Sequence, residues 1–214
     1  MTELVSYLPG VLLIYGVFLL QNATPGPNVL AVAGTSMAIG KKSGLAVSIG
    51  IACGTLTWAT ASVLGLAALI ASYGKLLYVI KILGGFYLLY LAYNAVRSAL
   101  SKDDLDMARK NIRLGSFGGF VAKGYLLNMT NPKAAFGWIA IVSLGMDMAS
   151  PAWVMFAIVL GTTILSLLVH VAYTLAFSTP QMVTVYTKAR RPIQTALGGL
   201  FAYAGYRLLT TKLN

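Results

Sequence analysis

Residues 21–30 read QNATPGPNVL and place two prolines, Pro25 and Pro27, around Gly26 in the middle of an apolar stretch. A proline within a helix removes one N–H donor and clashes with the carbonyl four residues earlier, at a cost of about 3 kcal/mol. Glycine tolerates backbone conformations that other residues avoid. The segment therefore predicts a helix that is interrupted between two apolar parts.

The composition indicates that this helix lies in a membrane. The chain of 214 residues is 58% hydrophobic and 10% charged, whereas a soluble domain carries about 25% charged residues. Residues 44–72 and 148–169 contain no charge, and a helix needs roughly 20 apolar residues to cross the hydrocarbon core. We therefore predict an all-α integral membrane protein surrounded by membrane lipid.

Apolar runs separated by charges and turn residues predict six transmembrane helices. Their approximate ranges are 5–39, 44–72, 76–100, 115–145, 150–177 and 192–210. Most of the 16 basic residues fall in the first, third and fifth connections. Because Lys and Arg collect in cytoplasmic loops, both termini are predicted on the outer side. No basic residue precedes the first apolar run, so no cleaved signal peptide is expected.

Several classes of partner and chemistry find no support in the sequence. The net charge of +11 is explained by the basic cytoplasmic loops, so nucleic acid is not an expected partner. Cys53 is the single cysteine, which excludes an intramolecular disulfide and a multi-cysteine metal site; we expect it to be a small packed core residue. The sequence contains no nucleotide-binding loop and no metal-ligand cluster, so neither a cofactor nor an enzymatic reaction is predicted.

Three pairs of short motifs recur in the same order in the two halves of the chain. Asn-Ala-Thr-Pro at 22–25 corresponds to Asn-Met-Thr-Asn-Pro at 128–132, Gly54-Thr55 to Gly161-Thr162, and Leu-Gly-Gly at 83–85 to the same triplet at 197–199. We interpret residues 1–100 and 115–214 as two three-helix repeats joined by a cytoplasmic linker at 101–114. Because three spans are an odd number, the second repeat enters the membrane in the opposite sense. Such inverted repeats are an architecture of secondary transporters.

The second repeat carries an interruption of its own, Thr130-Asn131-Pro132-Lys133. In lipid the freed backbone groups must be satisfied by protein or by a water-filled cavity. A half-helix N-terminus attracts a carboxylate, and a carbonyl end attracts an ammonium group. Lys133 adds a charge that is costly within a membrane. We interpret it as a ligand or gating residue, with a lysine that snorkels at the end of a span as the alternative.

Helices 1 and 4 are therefore predicted to be broken and to meet at a shared pocket near the membrane midplane. Candidate substrate-binding groups lie at both interruptions and at matched levels of the neighbouring helices, although a threonine bonds its own helix as readily and packing is the commoner role of a tryptophan. The candidates are Thr24, Pro25, Gly26, Pro27, Asn28, Thr55, Trp58, Thr130, Asn131, Pro132, Lys133 and Thr162.

No acidic residue lies in the core of a predicted span. The five acidic residues are Glu3, Asp103, Asp104, Asp106 and Asp147. Proton relays within membranes usually use Asp, Glu or His. His170, the single histidine, lies in the predicted fifth span. A hydrogen-bonded core histidine is the favoured interpretation, and a role in proton coupling is the alternative.

Four stretches resemble the LysE/RhtB family of amino-acid exporters: TPGPNVL at 24–30, CGTLTWATASVLGLA at 53–67, LGGFYLLYLAY at 83–93 and TNPKAAF at 130–136. The resemblance covers essentially the whole chain, and residues 50–66 with STPQM at 178–182 are most similar to the branch that exports threonine and other neutral amino acids. It implies an exporter of the bacterial inner membrane driven by the proton-motive force, with signature sites at 25–28 and 131–133. The second span lacks the acidic residue of the basic-substrate branch, which argues against a cationic substrate.

The leading hypothesis is a secondary active exporter of threonine- or homoserine-like amino acids that alternates access around a midplane site. A passive channel or ion permease on the same scaffold is the alternative, and it would favour rings of like charge or a pore-lining repeat. A membrane enzyme is a third hypothesis, which lacks catalytic residues. Two GxxxG motifs, at 50–54 and 115–119, predict close helix packing within one subunit or in a homo-oligomer.

Overall fold

The computed structural model describes residues 2–72, 76–100, 114–145 and 150–210, and this part of the chain is helical without a β strand. The helices are α1 (Thr2–Ala23), α2 (Pro27–Ala38), α3 (Lys41–Ser72), α4 (Leu76–Leu100), α5 (Phe117–Met129), α6 (Pro132–Gly145), α7 (Ala152–Phe177) and α8 (Pro180–Thr210). Residues 101–113 of the predicted linker lie outside the described residues, as do Asp103, Asp104, Asp106 and Asp147.

Three segments of the described helices are long and apolar enough to cross a membrane: Ser6–Ala23, Lys41–Gly65 and Ala152–Phe177. Helices α2, α5 and α6 have 12, 13 and 14 residues, so none of them spans a hydrocarbon core alone. The all-helical membrane fold is therefore confirmed, and the count of six spans stays a prediction.

Both predicted interruptions are present. Helix α1 ends at Ala23 and α2 begins at Pro27, while α5 ends at Met129 and α6 begins at Pro132. Each of these prolines occupies the first position of its helix, where the missing N–H would have had no helical partner. Elsewhere, Pro9 and Pro192 lie inside α1 and α8 without ending them. The breaks therefore depend on the neighbouring Gly26 and Asn131 as well as on proline.

Two expectations from the sequence are wrong. The connection predicted at 178–191 is largely helical, because α8 already begins at Pro180, a residue suited to the first helical turn. Cys53 is exposed instead of packed in the core. Its neighbours Gly54 and Thr55 face the interior, and successive residues of a helix point in directions about 100° apart, so Cys53 is turned outward.

Helix α3 lies at the centre and packs closely on α5 and α7, whereas α4 packs along α8 and α6. The approach of α3 to α5 is close at backbone level: a Cβ atom on Gly50 would overlap the carbonyl of Val121, and one on Gly124 would overlap that of Val47. The motif at 50–54 thus serves packing within this chain. The motif at 115–119 makes no such approach within the described part of the chain.

The apolar core is divided along α3 by a polar zone. One cluster contains Phe18, Ala59 and Trp138, and another contains Val47 and Ile51. Polar side chains lie between these clusters at the level of the two helix breaks. This zone contains the candidate site.

Candidate functional site

The first interruption contacts the second directly. Lys133 Nζ donates to the carbonyl oxygen of Thr24 at 2.5 Å, and a Cβ atom on Gly26 would stand 3.2 Å from Lys133 Cδ. The hydroxyl of Tyr173 on α7 donates to the carbonyl of Ala23 at 2.6 Å. The carbonyl groups freed at the end of α1 are therefore bound by side chains from the second half of the chain, which satisfies them without water.

Three buried asparagine side chains link the interruptions to α3. Asn131 Nδ2 donates to Asn28 Oδ1 at 3.0 Å, and Asn28 Nδ2 donates to Asn128 Oδ1 at 2.9 Å. Asn128 Nδ2 in turn donates to the carbonyl of Ile51 at 3.0 Å and to Thr55 Oγ1 at 3.3 Å. Each amide serves as donor and acceptor, so the chain of bonds fixes the relative positions of both breaks and α3.

The polar chain continues onto the buried face of α7. Thr55 Oγ1 lies 3.0 Å from Ser166 Oγ, whose residue also provides the carbonyl that lies 2.7 Å from His170 Nδ1. One turn further, Thr174 Oγ1 lies 3.0 Å from Ser48 Oγ. His170 is fully buried, and its Nε2 atom has no hydrogen-bond partner. His170 is thus a core residue, as expected, and its ring is hydrogen-bonded on one side.

The second interruption is capped by one of its own residues and is held by two side chains from the first half of the chain. Asn131 Oδ1 accepts the backbone N–H of Lys133 at 2.9 Å, and the Asn131 carbonyl accepts the N–H of Ala134 at 2.9 Å. The carbonyl of Lys133 accepts two bonds, from Gln21 Nε2 at 2.8 Å and from the Tyr87 hydroxyl at 2.6 Å. The start of α6 is therefore capped and clamped from both sides.

The start of α2 lacks such a cap. Gly26 is the residue before the helix, and no side chain caps the helix there. Pro27 contributes no N–H group, which leaves the amide groups of Asn28 and Val29 at the helix start. An uncapped N-terminus carries partial positive charge, which favours a carboxylate.

A cavity of about 30 Å³ lies between the two interruptions. It has room for about two water molecules, since one needs roughly 10–15 Å³. Eight of its thirteen lining residues are polar or charged, and the aromatic rings of Phe18 and Trp138, with centroids 5.7 Å apart, form an apolar wall. Lys133 is the charged residue of the lining, which consists of Phe18, Gln21, Asn22, Thr24, Gly26, Asn28, Val29, Thr55, Asn128, Asn131, Lys133, Ala134 and Trp138.

Half of the twelve residues predicted from the sequence line this cavity. Those that line it are Thr24, Gly26, Asn28, Thr55, Asn131 and Lys133. Pro25, Pro27 and Pro132 border an adjoining cleft. Trp58 contacts the network from outside and donates Nε1 to the carbonyl of Asn128 at 3.3 Å.

Two predicted residues are not brought to the cavity. Thr130 is exposed and bonds the carbonyl of Leu126 in its own helix at 2.8 Å. Thr162 is fully buried and bonds the carbonyl of Ile158 at 2.6 Å. Both follow the helix-bonding alternative for threonine.

Several residues of the site were missed. The repeated motif is a signal for Asn128, which corresponds to Asn22, but the predicted residues of this motif lie nearer to the proline. The regular spacing of Ser166 and His170 along one face of α7 was also a signal. Gln21 and Tyr87 reach the site through contacts between distant segments, for which the local sequence has no sign.

Comparisons with known proteins give a consistent result. The family described as LysE type translocator matches residues 19–212. A threonine efflux protein of Salmonella typhi is 31% identical over 192 residues, which cover 88% of this chain and 92% of the relative. The threonine efflux protein of Escherichia coli K12 is 30% identical with the same coverage.

A more distant relative carries another name. A leucine efflux protein of Salmonella choleraesuis is 28% identical over 140 residues, which cover 65% of each chain. No solved structure matches the chain.

Proposed function

The chain belongs to the LysE-type translocator family, and from this premise we propose that it exports neutral, threonine- or homoserine-like amino acids across the bacterial inner membrane. The observation that carries the proposal is the meeting of the two broken helices around Lys133 and three buried asparagines. Relatives named threonine and leucine efflux proteins support the same class of cargo.

The two charged groups of an amino acid have natural partners in the cavity. Lys133 Nζ and the uncapped start of α2 offer positive charge to the carboxylate. The carbonyl of Thr24, to which Lys133 Nζ donates, is the acceptor for the ammonium group once Lys133 turns to the carboxylate. Asn22 Nδ2, a buried donor without a partner, adds a further hydrogen bond to the carboxylate.

The lining also supports a neutral cargo. It contains Lys133 as a cation and no carboxylate, so a second ammonium group on a substrate would meet no counter-charge and would lose its hydration. Phe18, Val29 and Trp138 form the apolar wall, against which a small side chain packs. Thr55 places a hydroxyl within reach of a hydroxylated side chain.

Two inverted three-helix repeats, six spans and alternating access are the architecture that we propose around this site. The packing of α1 on α7 has its counterpart in that of α5 on α3, and the packing of α2 on α7 has its counterpart in that of α6 on α3. Such equivalent pairs support a pseudo-two-fold axis. The repeats would be residues 1–100 and 115–214, with a cytoplasmic linker at 101–114 and both termini on the outer side.

We further propose that the proton-motive force drives export and that His170 carries the proton. The support is its place in the polar chain from Thr55 through Ser166 and its unpaired Nε2 atom. His170→Gln keeps a polar side chain without a titratable group. We expect it to abolish accumulation driven by a pH gradient while amino-acid counterflow persists. Unchanged gradient-driven accumulation would remove His170 from the mechanism.

Counterflow in proteoliposomes tests the transport function. We expect saturable exchange of labelled L-threonine, with L-leucine as a competitor and L-lysine without effect. Asn28→Ala breaks the bonds to Asn128 and Asn131 and should reduce exchange at least 10-fold, since each buried bond contributes about 1 kcal/mol and leaves an unpaired group. Thr130→Ala, which alters an exposed threonine bonded to its own helix, is the matched control.

The channel alternative has a distinct outcome in the same vesicles. A passive channel would give conductance or flux that rises linearly with concentration and does not exchange one amino acid for another. Saturable exchange with no measurable conductance supports the exporter. Linear flux that Asn28→Ala leaves unchanged would overturn both the proposed function and its site.

A further inference from the structure

A second, larger space adjoins the buried cavity. This cleft has a volume of about 220 Å³ and lies between α4 and the two interruptions. Its lining includes Pro25, Pro27, Tyr90, Asn94, Pro132 and Lys133. The buried cavity, at about 30 Å³, must widen before it admits an amino acid, whereas the cleft already has room for one. The cleft can therefore hold the cargo until the cavity opens.

The two spaces share a wall. Thr24, Gly26, Asn131 and Lys133 line both of them. The Lys133 side chain passes beside Gly26, with its Nζ atom bonded to the Thr24 carbonyl. The stem of Lys133 therefore stands between the cleft and the cavity, held there by one hydrogen bond.

Two polar groups of α4 face the cleft without partners. The amide of Asn94 is half-buried, and the Tyr90 hydroxyl lies on the same helix one turn earlier. In the described part of the chain neither group has a hydrogen bond, although the Tyr90 ring contacts that of Tyr87 at a tilted angle, with centroids 6.2 Å apart. Asn94 and Tyr90 thus provide two polar groups in a mainly apolar cleft, and both are open to hydrogen bonds from a ligand.

We propose that this cleft is a second binding site, outer with respect to the buried cavity, for a neutral L-α-amino acid. The Asn94 amide and the Tyr90 hydroxyl are its head-group ligands. Release of Lys133 from the Thr24 carbonyl then opens the way from the cleft into the cavity. The inference rests on the proposed function, because it assigns a waiting position to the same cargo. A lipid acyl chain is the competing occupant, and the unpaired amide and hydroxyl disfavour it.

Thiol labelling tests the site in a chain whose single native cysteine can be removed. In a Cys53→Ser background that retains threonine counterflow, Asn94→Cys is treated with a charged, water-soluble methanethiosulfonate. The matched control is Tyr93→Cys at the neighbouring position on α4, whose side chain is 62% exposed. In the proposed membrane protein this surface faces lipid, which a charged reagent does not enter. We expect Cys at position 94 to react at least 10-fold faster than Cys at 93, and L-threonine to slow it at least fivefold while D-threonine does not.

Three results would decide against the outer site or separate it from the proposed function. Equal, slow labelling at both positions would indicate a lipid-filled cleft. Rapid labelling at position 94 that saturating L-threonine does not slow, in an Asn94→Cys variant that still shows counterflow, would overturn the outer site and leave the exporter standing. Absence of counterflow from the Cys53→Ser background, with wild-type protein equally inactive, would instead count against the proposed function.

Two further variants keep the inference testable if Asn94→Cys does not fold. Tyr90→Phe retains the ring and removes the hydroxyl, and it should raise the half-saturation concentration of counterflow about threefold with little change in maximal rate. Asn94→Leu should raise it at least fivefold, and Asn94→Gln should restore most of the loss. A purely structural role would instead lower thermal stability and leave the half-saturation concentration unchanged.

Discussion

The two helix interruptions solve the same backbone problem in opposite ways. At the second break, Asn131 caps its own helix, and the Lys133 carbonyl accepts bonds from both Gln21 and Tyr87. At the first break, Gly26 offers no capping side chain, and the Thr24 carbonyl depends on Lys133. The second break therefore has a cap of its own and two further donors from the first half of the chain, whereas the first break has no cap and depends on side chains from the second half.

This difference assigns different roles to the two breaks. A break whose backbone groups are already hydrogen-bonded is a rigid support, because these groups gain nothing from a ligand. An unsaturated one has N–H groups and a carbonyl whose partners can be exchanged. We infer that the first interruption supplies the backbone ligands for cargo, while the second supplies the charge of Lys133 and holds it in place.

Removal of the Lys133 charge should have the largest effect on transport. Lys133→Ala deletes the bond to the Thr24 carbonyl and the cation for the carboxylate, and bonds of charged groups contribute about 1.5–3 kcal/mol. We expect threonine counterflow to fall about 10- to 100-fold. Lys123→Ala, which removes an exposed lysine from α5, should leave it unchanged. Equal effects of the two substitutions would contradict the assignment of Lys133.

Loss of a tyrosine hydroxyl should have an intermediate effect on stability, and this effect should differ between the two breaks. Tyr173→Phe removes the donor to the Ala23 carbonyl, and an unpaired buried acceptor costs about 1–3 kcal/mol. Tyr87→Phe removes one of two donors to the Lys133 carbonyl, so its cost should stay below about 1 kcal/mol. The measurement is the free energy of unfolding in detergent micelles. A larger loss for Tyr87→Phe than for Tyr173→Phe would reverse our ranking of the breaks.

The smallest effect should come from giving the first break a cap of its own. Gly26→Ser introduces a hydroxyl that can accept an N–H group at the start of α2, worth a few tenths of a kcal/mol relative to glycine. We expect slightly higher thermal stability and about threefold weaker binding of L-threonine, because the hydroxyl competes with the carboxylate. Gly26→Ala adds the same Cβ atom, 3.2 Å from Lys133 Cδ, without an acceptor. If the alanine variant weakens binding as much as the serine variant, competition at the cap is not the cause.

The parts of the fold that follow from local chemistry were predictable from the sequence. Proline beside glycine or asparagine determined both breaks, and a lysine in an apolar run identified the charged residue of the site. The choice between Asn131 and Thr130 was not predictable, because neighbouring residues diverge at a helix end: one amide turns to Asn28 and the other side chain bonds Leu126. Contacts such as that of Tyr173 with Ala23 depend on how distant helices pack.

The close approach of α3 to α5 has a mechanical consequence. Because the Val121 carbonyl lies where a side chain on Gly50 would be, the two helices have little room to slide past each other, and we expect them to move together. Helix α6 has its most extensive contact with α4 and also packs on α1 and α3. If the two pieces of the interrupted helix move relative to each other, we expect Thr130 and Asn131, which lie in neither helix, to absorb the motion.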